Sequence, residues 1–220
     1  MIEISTSILN VNKEKAVPTF YNLEVAGTDY FHIDVMDGKF VENETHNSML
    51  EFCEYIKQIS NIPLDVHLMV EDIENYIKSY IIFKPSIITF HIEACKNKEQ
   101  VLKFIELIKN AGSKVGISIK PNTKIEEIKE FLPFIHLCLI MTVEPGKGGQ
   151  ELITSTVNKI VELKKYIDEN SLDTFIEADG GINLENIEIV KNAGTDIIVS
   201  GSAIINSENL KNVILKMKRG

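Results

Sequence analysis

The sequence predicts an α/β protein of the (β/α)8 barrel type, and two observations carry that expectation. Eight short runs rich in β-branched and apolar residues recur along the chain, and segments of helical length separate them. Polar residues suited to chemistry gather at one end of these runs, as they do where parallel strands deliver side chains to the carboxyl rim of a barrel. No Pro- or Ser-rich linker and no low-complexity stretch interrupts the alternation, so residues 1–220 are expected to form a single domain. An open doubly wound sheet is the alternative. Only a closed barrel sets the second, third and seventh strands around one axis.

The expected strands, in order, are Ile2–Ser5, Tyr30–Val35, Leu64–Met69, Ile87–Ile92, Lys114–Ile119, Leu137–Thr142, Thr174–Ala178 and Asp196–Ser200. Between them, the helical segments include Pro18–Ala26, with proline in the first turn, Ile73–Phe83, Glu99–Ala111, Thr123–Phe131, Ser155–Asn170 and Leu184–Ala193. Val101, Phe104, Ile105 and Ile108 recur at helical spacing and make an apolar stripe. Ala26-Gly27-Thr28-Asp29 and Ala193-Gly194-Thr195-Asp196 each close a helix just before a strand, and Ala111-Gly112 does the same. Glycine there is expected in the left-handed position that turns the chain back to the sheet.

Composition narrows the function classes. The chain is 44% hydrophobic and 25% charged, enough apolar material for a sizeable core. A formal net charge of −9 argues against a nucleic-acid partner, which calls for a basic patch. Small phosphates remain accessible to an acidic chain when backbone N–H groups hold them. No apolar run approaches the ~20 residues that span a bilayer, and Met-Ile-Glu-Ile has no signal-peptide pattern, so no membrane partner is expected. Cys53, Cys95 and Cys138 show no Cys-x-x-Cys spacing, and an odd count suits a reducing, cytoplasmic location. Apolar helix stripes look alike in monomers and oligomers, so a homo-oligomer stays open.

Three strand-like triplets carry the chemistry: His32-Ile33-Asp34, Asp65-Val66-His67 and Glu177-Ala178-Asp179. Residues two apart share a strand face, so each triplet aims its polar pair one way. At the rim of a barrel His32, Asp34, His67 and Asp179 converge. Two imidazoles and two carboxylates suit one divalent metal ion (Zn, Fe(II), Mn or Co), with geometry selecting among them. Alternatively, each histidine is a hydrogen-bonded core residue. His91 sits with Glu93 at an equivalent strand end but has no carboxylate two residues before it, and reads as a supporting residue or as plain structure, whereas His46 and His136 read as surface or loop residues. Met36, Met69 and Met141 fall near the same rim, either as ordinary gap-fillers or as a polarizable roof that excludes water.

Glycine-rich turns follow the last three strands. Asp179-Gly180-Gly181 and Ser200-Gly201-Ser202 stand where barrels commonly hold phosphate. Glu144-Pro145-Gly146-Lys147-Gly148-Gly149-Gln150 is no Walker loop, because no Gly-Lys-Ser/Thr closes it. It reads as a mobile lid adding donors to the same phosphate. Lys147 either adds a cationic contact there or is simply solvated.

Taken together, Ser7-Ile8-Leu9, HIDVMDGKFV at 32–41, PLDVHLMV at 63–70, LIMTVEPGKGGQ at 139–150, DGGI at 179–182 and SGSAI at 200–204 resemble the ribulose-5-phosphate 3-epimerase family, in the family's order and over essentially the whole chain. The resemblance implies a (β/α)8 catalytic domain that interconverts D-ribulose 5-phosphate and D-xylulose 5-phosphate in the pentose phosphate pathway. It implies His32, Asp34, His67 and Asp179 as ligands of one divalent ion, and Asp34 and Asp179 as acid/base carboxylates working through an enediolate. Ser7, His32 and His67 match sugar-holding positions. Gly146 to Gly149, Gly180, Gly181, Gly201 and Ser202 match the lid and phosphate-binding positions.

Some positions depart from the family pattern. Glu42-Asn43-Glu44-Thr45-His46-Asn47 replaces the usual Pro-Asn-x-Thr-x-Gly, Lys147 replaces an aromatic residue, Ala178 replaces a branched one, and Thr6-Ser7 replaces Pro-Ser. None removes a ligand or a carboxylate. The altered second loop keeps allulose-6-phosphate 3-epimerase, a sibling acting on a longer sugar, as an alternative. A decarboxylase-type barrel is disfavoured because Asp34-Val35-Met36-Asp37 has no lysine. A phosphosugar-binding barrel without turnover is the non-enzymatic alternative.

Overall fold

A computed structural model describes residues 2–219. Eight strands alternate with helical connections: β1 (Glu3–Ser7), α1 (Ala16–Ala26), β2 (Tyr30–Met36), α2 (His46–Ile59), β3 (Leu64–Met69), α3 (Ile73–Tyr80), β4 (Ile87–His91), α4 (Lys98–Asn110) and β5 (Lys114–Ile119). After these come β6 (Leu137–Met141), α5 (Ser155–Glu169), β7 (Phe175–Asp179), α6 (Ile187–Asn192), β8 (Ile197–Ser200), α7 (Ser202–Ile205) and α8 (Leu210–Arg219). Every neighbouring pair is parallel, and β8 pairs back onto β1 through Glu3–Ile197 and Thr6–Ser200, which closes the barrel. The open-sheet alternative is thereby excluded.

Strand alternation builds two layers. Phe31, Ile33, Val35, Val66, Leu68 and Phe90 point outward and join helix residues such as Phe20, Phe52 and Phe104 in the main core. Phe20 meets Phe31 and Phe52 edge-on, with centroids 5.7 and 5.3 Å apart. The opposite faces fill the lumen. One part of it is apolar, with Ile87, Leu137, Leu139, Met141, Val143 and Ile197 in contact. The remainder holds the buried polar residues Ser5, His32, Asp65, His67, Thr89, His91, Ser118 and Glu177.

The expected strand edges lie within two residues of those observed. Gly27, Gly112 and Gly194 have φ of 90°, 83° and 105°, the left-handed helix ends anticipated for them. The repeated Thr-Asp pair also has a function in the sheet: Asp29 accepts from the backbone N–H of Ile4 and Asp196 from that of Ile176, tying adjacent strands at their amino ends.

One element differs from expectation. Thr123–Phe131 does not form a helix but holds one short 3-10 turn, Ile125–Glu127, with a second, Leu132–Phe134, just after it. One cause is visible. The groups that would start the helix are engaged elsewhere: Thr123 donates its hydroxyl to Glu93, and Lys159 on α5 donates to the carbonyls of Lys120, Pro121 and Thr123. The helices α2 and α8 complete the outer layer beyond the six anticipated segments.

Gly116 on β5 faces the lumen beside Thr89. A Cβ there would lie 2.9 Å from Thr89 Cβ and 3.1 Å from Leu137 Cδ2. Gly116→Ala is therefore expected to destabilise the barrel by about 1–3 kcal/mol through overpacking. Urea unfolding measures this, and an unchanged midpoint would show that the lumen yields there.

Candidate active site

Register brings the polar triplets together. Across β2 and β3, His32 stands beside Asp65, Asp34 beside His67 and Met36 beside Met69. Asp179 ends β7 between Met141 and Val199. Four donor atoms then form a ring. His32 Nε2 is 3.5 Å from Asp34 Oδ1, which is 3.6 Å from His67 Nδ1. His67 Nδ1 is 3.5 Å from Asp179 Oδ2, which is 3.8 Å from His32 Nε2.

These edges are too long for good hydrogen bonds, and both nitrogens are fully buried without a hydrogen-bond partner among the described residues. Four donors at about 2.0–2.2 Å from one ion stand roughly 3.3–3.6 Å apart in a tetrahedron. The ring therefore fits a divalent metal: its spacing suits a common ligand, and a bound ion would satisfy both orphaned nitrogens.

Groups of the ring also shift one another's ionisation. Burial opposes ionisation of Asp34, but the imidazoles of His32 and His67 outweigh it and hold the carboxyl far below the usual range. Burial likewise opposes charge on His32, yet Asp65 and Asp34 raise it well above 6.5. His67 is raised too, against burial, by Asp179 and Asp34. Ser7 donates to Asp34 Oδ2 at 2.7 Å, anchoring the carboxylate. Thr45 donates its hydroxyl to the Asp34 carbonyl and accepts from the Met36 N–H, so the altered second loop clamps the end of β2.

A second layer lies beneath, which sequence reasoning left without a role. His32 Nδ1 is 2.6 Å from Asp65 Oδ2, which also accepts from Ser5. Glu177 is close by, its carboxyl pushed well above the normal range by burial and by the Asp65 charge. The signal was present in the triplets, because Asp65 and Glu177 precede His67 and Asp179 by two and so share their faces.

Above the ring, Met36, Met69 and Met141 are at most 2% exposed and line a cavity with Ser7, Asp34 and Asp179. His32 and His67 lie beneath it, fully buried. The glycine loops wall the other side: Gly146, Lys147, Gly148, Gly149, Gly180, Gly181, Gly201 and Ser202 all face the same cavity. Lys147 is exposed on the rim. Gly181, at φ 68°, leaves no room for a side chain, since a Cβ would lie 2.8 Å from the Gln150 carbonyl oxygen.

Gln150 donates to the carbonyls of Glu144 and Lys147, and Asn43 donates to that of Gly146, fastening the lid to the second loop. Asn43 carried no signal by itself, because its partner is 103 residues away. Ala178 points outward into the main core and not into the cavity, and Thr6 pairs with Thr28. His46 packs on Tyr76 and His136 on Phe175, both away from the ring.

A closed (β/α)8 barrel with buried histidines and carboxylates under a glycine-walled cavity at the carboxyl rim of its strands defines a class, the enzymes of barrel type. The family profile described as "Ribulose-phosphate 3 epimerase family" matches residues 3–205. Among curated proteins, the ribulose-phosphate 3-epimerase of Bacillus subtilis is 36% identical over 219 residues, covering 99% of each chain. That of Helicobacter pylori is 40% identical over 187 residues, covering 85% of this chain and 84% of its own. A solved 3-hexulose-6-phosphate synthase from Salmonella typhimurium has the same fold, with a TM-score of 0.70 at 13% identity, covering 99% of this chain and 97% of its own. The chain belongs to the ribulose-phosphate 3-epimerase family and is an isomerase.

Protons and a metal compete for His32 Nε2 and His67 Nδ1. Because both imidazoles are raised above 6.5 in the metal-free protein, competition begins above that pH and strengthens as pH falls. Cobalt(II) affinity is expected to fall on acidification by about tenfold per pH unit for each proton displaced. Competition titrations across neutral and mildly acid pH measure this, and a pH-independent affinity would remove both histidines from the ligand set.

Proposed function

We propose that this chain epimerises carbon 3 of D-ribulose 5-phosphate to give D-xylulose 5-phosphate, using one divalent ion held by His32, Asp34, His67 and Asp179. The observation that carries this reading is the ring of four buried donors, two of them nitrogens without partners, beneath a cavity walled by glycine loops. When bound, a divalent ion supplies Lewis acidity that stabilises the negative charge developing on the ketone and neighbouring hydroxyl oxygens.

The protein residues do the rest. Asp34 and Asp179 come from β2 and β7, which β8 and β1 separate, and their oxygens lie within 4.8 Å of each other. In this reading one carboxylate removes the carbon 3 proton and the other delivers a proton to the opposite face. Ser7 holds Asp34 and faces the cavity that takes the sugar, with His32 and His67 beneath it turned toward the ion. Met36, Met69 and Met141 keep the reacting carbon dry, so the transferred proton is not lost to bulk water. Gly146, Gly148, Gly149, Gly180, Gly181, Gly201 and Ser202 offer backbone N–H groups to the phosphate, with Lys147 beside them at the rim.

Solvent deuterium incorporation at carbon 3 tests the proposal, with D-ribulose 5-phosphate and D-allulose 6-phosphate side by side, with and without a chelator. Fast exchange into the pentulose that the chelator abolishes is the expected result. A preference for the hexulose would reassign the substrate, and chelator-resistant exchange would overturn the metal. Asp34→Asn and Asp179→Asn are each expected to lower turnover by about 10²–10⁴-fold while the barrel stays folded; a near-normal rate in either would dismiss that carboxylate.

A further inference from the structure

His67 has two ring nitrogens and a different neighbour at each. Nδ1 faces Asp34 and Asp179 in the donor ring. Nε2 stands 2.9 Å from Nε2 of His91, which is fully buried on β4. The ring centroids are 5.0 Å apart at 25°. With the two nitrogens in contact, that separation places the rings edge to edge near one plane, the geometry of a hydrogen bond and not of a face stack.

Two nitrogens at this distance share one proton, so one must donate and the other accept. The far side of His91 decides which. His91 Nδ1 is 3.0 Å from Glu93 Oε2, just past the strand end. Glu93 Oε1 accepts from the backbone N–H of Lys120 and from the hydroxyl of Thr123. Burial opposes charge on Glu93, but His91 and these donors hold its carboxyl down to about 2, so it only accepts. His91 must then carry its proton on Nδ1, leaving Nε2 to accept from His67. His67 in turn carries a proton on Nε2, which leaves Nδ1 as the nitrogen turned to the donor ring. Phe40 covers the outer side of the His91 ring, with centroids 4.9 Å apart, and Lys120 Nζ lies 3.9 Å above Phe40.

We propose that Glu93 and His91 are positioning residues of the metal centre: the chain Glu93–His91–His67 fixes both imidazole tautomers so that His67 presents Nδ1 to the ion. This rests on the metal-dependent reading above. It gives His67 the outer-sphere partner that metal-bound imidazoles ordinarily have, supplied through a second histidine instead of by a carboxylate directly. Neither His91 nor Glu93 touches the ring itself, so neither is a catalytic residue.

Glu93→Gln is the discriminating variant because it is nearly isosteric. Lys120 N–H and Thr123 still demand the amide oxygen, so the amide N–H group turns to His91 Nδ1. His91 is then driven to the Nε2–H tautomer, and its proton opposes that of His67. Two readouts apply: the histidine tautomers of the metal-free protein, by long-range proton–nitrogen NMR on ¹⁵N-histidine-labelled protein, and cobalt(II) affinity by competition.

We expect Nδ1–H on His91 in the parent, Nε2–H in Glu93→Gln, and cobalt affinity lower by about 10–100-fold in the variant. His91→Gln, whose amide oxygen can replace the accepting nitrogen, should bind cobalt more tightly than His91→Leu. Nε2–H on His91 in the parent overturns the proposal, and that measurement needs no variant to fold. So does a folded Glu93→Gln with unchanged cobalt affinity. A parent that takes no cobalt while His91 carries its proton on Nδ1 places the failure in the metal-dependent reading and leaves the tautomer chain standing.

Discussion

Pairing of β8 with β1 is the constraint on which everything else here depends. Once that ladder closes, strand alternation has only two destinations, the lumen or the shell of helices. Every inward residue must then fit a narrow, fully enclosed space. Gly116 gives up its side chain beside Thr89, and the lumen beside β6 and β8 is filled by Leu137, Leu139 and Ile197. Closure also gathers the carboxyl ends of all eight strands at one rim. Residues 145 positions apart, Asp34 and Asp179, thereby become neighbours.

Burying so many polar groups is unfavourable unless they satisfy one another. The lumen meets that condition around its imidazoles, while Thr89 Oγ1, Ser118 Oγ and both Glu177 carboxyl oxygens have no hydrogen-bond partner among the described residues. Asp65 accepts from Ser5 and pairs with His32 Nδ1, which turns the opposite nitrogen, Nε2, toward the rim. His67 is held the other way round, with Nε2 against His91 and Nδ1 toward the rim. Two histidines on adjacent strands thus point opposite nitrogens at one spot, each held from behind by a different device. On each imidazole the nitrogen left without a partner, Nε2 of His32 and Nδ1 of His67, is the one aimed at the place where an ion fits.

The rim loops follow a different logic. Gly146 and Gly180, at φ 117° and 125°, adopt backbone conformations that side chains resist. Contacts among the loops hold them: Asn43 on Gly146, Gln150 within the lid, Thr142 on the Gly180 carbonyl. These contacts join side chains to loop carbonyls around the rim.

How much of this was legible in the chain follows from the range of each interaction. Alternating β and α segments, helix-ending glycines and the polar triplets are local patterns, written in residues one to four apart, so the sequence by itself determined the barrel and the four rim residues His32, Asp34, His67 and Asp179. The helix expected over 123–131 failed because Lys159 and Glu93, distant in sequence, claim the groups that would have begun it. The Asp65 layer, the Asn43 clasp and the His67–His91 hydrogen bond were decided only by tertiary structure. Each depends on which strand lies beside which and in what register, and no periodicity along a single segment encodes that pairing.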